Sequence, residues 1–67
     1  MKEQTMIIYG NYILYIDRYI YESDEMFYFR INYIYNNINK FNNNDNFDKL
    51  IGLSKLECQK KFNNCEY

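Results

Sequence analysis

Few side chains in this sequence could carry out catalysis or hold a metal ion. The 67 residues include no His, which is the commonest general base and metal ligand. Cys58 and Cys65 are the only soft ligands, whereas a structural zinc site needs four ligands. Asp24 and Glu25 form the one pair of adjacent carboxylates, and the two glycines stand too far apart to build a phosphate-binding loop. The sequence therefore predicts a protein that is not an enzyme and that binds no metal or cofactor.

The composition predicts one small cytoplasmic domain over residues 1–67. The formal net charge is −1 and the pI is near 5.2, so no overall positive field attracts nucleic acid or anionic lipid. No apolar run approaches the roughly 20 residues that a membrane span needs. Two cysteines are too few for a disulfide framework, so we expect reduced thiols, with Cys58 buried on a helix. The alternative is a Cys58–Cys65 bridge, which requires the C-terminal tail to fold back.

Residues 12–35 consist of two runs rich in Tyr, Ile and Phe that flank the polar tetrad at residues 22–25. Such residues fit a pleated sheet, so this pattern predicts a β-hairpin that turns at the tetrad. With Tyr21 opposite Met26, Ile16 faces Ile31 and Asp17 faces Arg30. The inner face of this predicted hairpin collects Leu14, Ile16, Ile20, Phe27, Phe29, Ile31 and Tyr33. A slip of one residue would destroy both the apolar face and the charge pair.

A second turn is predicted at Gly10–Asn11, because a Gly-Asn pair between apolar runs is typical of a two-residue hairpin. Pairing Tyr9 with Tyr12 places Ile7 opposite Leu14, on the same side as the predicted core. The alternative is a bulge within one long strand. The two-residue hairpin at Gly10–Asn11, together with the hairpin that turns at residues 22–25, gives a three-stranded antiparallel β-meander over residues 5–35.

Residues 36–46 are mostly Asn and predict a loop, in which Ile38 and Phe41 could anchor the chain to the sheet. Residues 47–63 predict a helical segment, with a short first turn that ends at Gly52. Ser54 and Glu57 match the capping box of a following helix. The apolar stripe of the whole helical segment comprises Leu50, Leu53, Leu56, Cys58 and Phe62. The predicted fold class is therefore α+β: a three-stranded antiparallel β-meander with one C-terminal helix packed on one face (βββα).

The predicted functional surface is the side of the meander that the helix leaves uncovered. Tyr, Met and Arg are enriched at protein–protein interfaces, which indicates binding to another protein. The alternatives are ordinary solvated tyrosines on a half-exposed sheet and a base-stacking platform for single-stranded nucleic acid. The acidic hairpin tip could instead mimic phosphates toward a basic partner. The candidate partner-binding residues are Tyr15, Asp17, Tyr19, Tyr21, Tyr28 and Arg30 on the face, and Glu22, Asp24 and Glu25 at the tip.

The partner expected on these grounds is another protein, such as a host enzyme or nucleoprotein complex, or a second copy of the chain as a homodimer. A short chain without catalytic residues suits a small inhibitor or adaptor. The most concrete example is an anti-defence inhibitor of the kind that phages and mobile elements encode.

The segment 47–62 resembles the turn and second helix of bacterial helix-turn-helix regulators. The residues that carry this resemblance are Gly52 in the turn, Ser54 as the cap, Cys58 at an apolar position and Phe62 as an aromatic. The resemblance implies a small nucleic-acid-binding protein that uses its C-terminal helix, which is the alternative function.

Overall fold

The computed structural model describes residues 3–41 and 44–62, with side chains for all of these except 44–46. Strand β1 covers Glu3–Tyr9 and strand β2 covers Tyr12–Arg18. Helix α1 follows at Asp24–Asn37, a 3₁₀ turn at Ile38–Lys40, and helix α2 at Asn44–Lys61. The fold class is α+β, with a two-stranded antiparallel sheet and two helices in the described part of the chain. The predicted three-stranded meander with a single helix is wrong.

The predicted Gly10–Asn11 hairpin is confirmed. Strands β1 and β2 pair antiparallel, with Tyr9 opposite Tyr12 and Ile7 opposite Leu14. Gly10 has a φ of 60°, a left-handed conformation that glycine adopts without a steric penalty. Ile7 and Leu14 are buried on the face that meets the helices. The bulge alternative is thereby excluded.

Helix α1 occupies the residues that were predicted as the third strand. Ser23 caps this helix, since its Oγ accepts a hydrogen bond of 3.2 Å from the backbone N–H of Met26. Asp24 and Glu25 lie in the first turn, where negative charge is favourable to the helix dipole. The tetrad therefore starts a helix and does not form a hairpin tip, and the strand pairing of Ile16 with Ile31 is wrong.

The buried positions of α1 follow a helical period. Phe27, Arg30 and Ile34 recur every three or four residues, and the line continues to Ile38 in the 3₁₀ turn. Residues 36–46 are accordingly no continuous loop, because α1 extends to Asn37 and α2 begins at Asn44. Ile38 is buried and Phe41 packs on the same core, as predicted. Residues 42–43 lie outside the described part of the chain.

Helix α2 runs without a break through the predicted turn. Gly52 and Ser54 are interior positions of this 18-residue helix, and the Oγ of Ser54 donates to the carbonyl of Ile51 at 2.5 Å. The predicted capping box at Ser54 and Glu57 is therefore wrong, as is the helix end at Gly52. The helix-turn-helix geometry is also wrong, because the turn that it requires is replaced by helix.

The buried stripe of α2 differs in part from the prediction. Leu50, Cys58 and Phe62 pack inward as expected, together with Phe47, whereas Leu53 and Leu56 are exposed. A larger core lies between the hairpin and the helices, and the Tyr12 ring meets the Phe47 ring edge-on with centroids 5.4 Å apart. Its buried members are Ile7, Leu14, Ile16, Phe27, Ile34, Ile38, Phe47 and Leu50.

A smaller cluster joins α1 to α2 through Met26 and Cys58, with Phe29 and Phe62 packed beside them. The burial of Cys58 confirms that prediction, and its Sγ lies 3.7 Å from the carbonyl oxygen of Met26. Cys65, and with it the alternative bridge to Cys58, lies outside the described residues.

Candidate functional site

The nine residues predicted to bind a partner do not share one surface. Tyr15 faces outward from strand β2, and Tyr28 is exposed on helix α1. Tyr19 and Tyr21 lie in the connection between β2 and α1, where their rings stack with centroids 5.6 Å apart. A helix in place of the third strand has thus separated the predicted tyrosine face into several parts.

Arg30 and Glu22 lie inside the protein as an ion pair. The Nε and Nη2 atoms of Arg30 each donate to one carboxylate oxygen of Glu22, both at 2.7 Å. Their side chains are 1% and 0% exposed. Arg30 Nη2 also donates to the backbone carbonyl of Asp17 at 2.6 Å, and Glu22 Oε1 accepts from the N–H of Tyr19 at 2.9 Å. These contacts connect the end of β2 to α1, so the pair fixes the fold and cannot face a partner.

Aromatic rings and cations surround this pair. The guanidinium carbon of Arg30 lies 5.2 Å from the centroid of the Tyr19 ring and 5.8 Å from that of Phe27. Lys55 of helix α2 places its Nζ 4.7 Å from the centre of the same Tyr19 ring. Tyr19 therefore contacts cations from both helices and acts as a packing element.

The remaining predicted tip residues belong to the start of α1. Asp24 pairs with Arg18 at 2.6 Å, while Arg18 also donates to the backbone carbonyl of Glu22. Desolvation lowers the pKa of Arg18, but the hydrogen bond and charge of Asp24, with those of Glu3, raise it overall. Glu25 is exposed in the first turn of the helix. Asp24 is thus engaged within the chain, at the junction of β2 and α1.

The outward side of the hairpin carries an apolar patch that the sequence reasoning missed. We define the hairpin outer face as Met6, Ile8, Ile13 and Tyr15, which are 51%, 63%, 53% and 58% exposed, respectively. The strand register sets Met6 directly opposite Tyr15 and Ile8 directly opposite Ile13. Side chains at such paired positions touch across the strands, so the four form one continuous apolar surface.

A polar pair borders this surface at the open end of the hairpin. Gln4 Nε2 donates to Asp17 Oδ1 at 2.8 Å, and the two residues are opposite each other in the register. The signal for the outer face was present in the sequence, because residues 5–9 and 12–16 do not alternate between apolar and polar side chains. A sheet that is exposed on one face normally shows that alternation, whereas a sheet covered on both faces does not.

Other exposed apolar side chains are more dispersed. Tyr28 and Tyr35 lie two turns apart on α1, and Leu53 and Leu56 lie one turn apart on α2. Exposed apolar residues scattered in ones and twos are ordinary for a folded protein. The hairpin outer face differs from them because its four members are arranged as two directly opposed pairs.

The described residues contain neither a metal-binding cluster nor a membrane-spanning helix. Within 3–41 and 44–62, no group of three or more His, Cys, Asp and Glu residues is placed to hold a metal ion. Neither α1 nor α2 combines the length and the apolar character that crossing a membrane requires. Comparison of the chain with protein-family models, with curated proteins and with solved structures finds no match in any of the three.

Proposed function

We propose that this protein is a non-enzymatic protein-binding module and that the hairpin outer face is its binding surface. The observation that carries the proposal is the pairing of Met6 with Tyr15 and of Ile8 with Ile13 on an exposed sheet face. Contiguous apolar surface of this kind marks interaction sites on small proteins. Met and Tyr are also among the residue types enriched at protein interfaces.

The size of the hydrophobic term supports this assignment. Full burial of a large apolar side chain contributes about 1.5–3 kcal/mol relative to leaving it in water. Each of the four side chains still exposes half of its surface or more. Covering all four would therefore contribute about 3–6 kcal/mol before the costs of association.

The proposed surface keeps one residue of the predicted tyrosine face, Tyr15, and replaces the others. Arg30 and Glu22 are occupied with each other in the interior, so they hold the scaffold behind the surface. A host enzyme or defence complex, bound by a phage-type inhibitor in the cytoplasm, stays a prediction from chain length and composition. The apolar character of the hairpin outer face supports a protein partner of any origin.

Two charge-matched variants test the proposal. Ile8→Lys places a cation in the centre of the hairpin outer face, while Leu56→Lys places one at a similarly exposed position on α2. Wild type and both variants would be immobilised, and the proteins that each retains from a lysate would be compared. We expect Ile8→Lys to lose proteins that wild type and Leu56→Lys retain. Identical retention by all three, with unchanged circular dichroism and no self-association through this face, would contradict the proposed function.

A further inference from the structure

We propose that the hairpin outer face binds the same face of a second copy of this chain, giving a two-fold symmetric dimer with its hairpins packed face to face. The inference rests on the proposed function and names its partner. Face-to-face packing of two sheets is the usual way in which an apolar sheet surface is covered. The product would be a four-stranded sandwich with a helical layer on each outer side.

The chemistry of the face suits a copy of itself. Its four side chains are all uncharged, so the face offers no ionic group with which to select a charged partner. The nearest carboxylate across the register, that of Asp17, already accepts a hydrogen bond from Gln4. In a two-fold dimer the same patch must serve both copies, and an apolar patch without charge satisfies that condition without repulsion.

The arrangement of the two pairs is also self-complementary. A two-fold axis through the centre of the face can set the Met6–Tyr15 pair of one copy against the Ile8–Ile13 pair of the other. The long and aromatic side chains then meet the branched ones, while the Gln4–Asp17 pair lies at the border in solvent. An apolar centre with a polar rim is the usual anatomy of a protein interface.

The available area is that of a small interface. With about half of four large side chains exposed, the face presents roughly 450 Å² per copy. Mutual burial with neighbouring backbone removes about 1,000 Å² in total, which lies in the range of weak, reversible complexes. The net charge of −1 adds little repulsion between copies. We therefore expect a weak, reversible dimer.

Sedimentation equilibrium of the full chain, from about 1 to 500 µM, tests this directly. Wild type and Leu56→Lys should fit a monomer–dimer equilibrium with the same Kd. Ile8→Lys should raise that Kd at least about tenfold, because the substitution enters a two-fold interface twice. A monomer at every concentration would overturn the dimer, and so would an equal Kd for wild type and Ile8→Lys.

A second measurement needs no variant. In a mixture of isotope-labelled and unlabelled wild-type chains, intermolecular nuclear Overhauser effects should connect methyl groups of Ile8 and Ile13 to the other copy. Intermolecular effects that arise from other surfaces alone would overturn the proposal.

The lysate-retention experiment distinguishes failure of the dimer from failure of the proposed function. If the chain is monomeric but Ile8→Lys still loses a retained protein, the dimer fails and the proposed function stands. If retention is also unchanged, both fail.

Discussion

Arg30 and Glu22, eight residues apart in sequence, form a two-armed ion pair whose side chains are both almost completely removed from solvent. The pair joins the middle of α1 to the segment that precedes it, and a further bond from Arg30 reaches the carbonyl of Asp17 at the end of β2. No buried side-chain nitrogen or oxygen lacks a hydrogen bond in the described part of the chain. Arg30 can therefore occupy the buried face of a helix because its charge is paired and its Nε and Nη2 donors are hydrogen-bonded.

Removing one charge of this pair should be severe. Glu22→Gln leaves the guanidinium of Arg30 buried without its counter-charge, which costs about 3–5 kcal/mol of unfolding free energy. Glu25→Gln removes the same charge from an exposed position of the first turn of α1 and serves as the control. Urea unfolding followed by circular dichroism measures both. A Glu22→Gln variant as stable as Glu25→Gln would show that the ion pair does not hold the fold.

The two serines separate the true helix start from the one that the sequence predicted. Ser23→Ala removes the side-chain cap of α1 and should cost about 1 kcal/mol, which lowers the Tm of a domain of this size by about 4–8 °C. Ser54 is fully buried inside α2, where its hydroxyl donates to a carbonyl of the same helix. Ser54→Ala exchanges that bond for a better helix former, so its effect should be within about 0.5 kcal/mol. Thermal melts compare the two directly. The reverse order of effects would place the cap at Ser54 after all.

Gly52 offers a simple route to a more stable protein. It lies inside α2, and an added Cβ at this position would meet no other atom within 4 Å. Gly52→Ala should therefore stabilise the fold by about 0.5–1 kcal/mol, because alanine restricts the unfolded chain and favours helix. If Gly52 instead ended a helix and started a turn, the same substitution would lower the melting temperature.

Two leucines of α2 test which face of the helix is buried. Leu50 is fully buried in the larger core, so Leu50→Ala should cost about 2–5 kcal/mol through lost contacts and a cavity. Leu56 is exposed, and Leu56→Ala should change stability by no more than about 0.5 kcal/mol. Chemical unfolding of the two variants gives both values. Similar losses would indicate that α2 buries the stripe predicted from its sequence instead.

The first hairpin could be predicted because its signals are local. Gly10 supplies the left-handed turn, and Ile7 and Leu14 lie at positions that the two-residue turn makes opposite. The strong β preference of Tyr, Phe and Ile predicts a strand over residues 26–35. Their spacing also fits a helix, and tertiary burial of Phe27, Arg30 and Ile34 favours the helix. The sequence Ser23-Asp24-Glu25, a cap followed by two acidic residues, was the signal that could have identified α1.

The buried Arg30–Glu22 pair was harder to predict than the first hairpin. The predicted strand register sets Arg30 on the outer surface opposite Asp17, and it sets Glu22 in the turn. Neither assignment could be corrected without knowing that a helix brings the two together. The outer face, by contrast, follows from the hairpin itself: once Ile7 and Leu14 face inward, Ile8 and Ile13 must face outward.

The most direct test of the account is to map the self-contact surface residue by residue. Two-dimensional amide and methyl NMR spectra of the wild-type chain, recorded across a dilution series, report which residues change environment on association. We predict that the changes centre on Met6, Ile8, Ile13 and Tyr15, with little change along α1 and α2. Changes centred on Tyr28 and Tyr35, or on Leu53 and Leu56, with the hairpin unaffected, would contradict the assignment of the hairpin outer face as the binding surface.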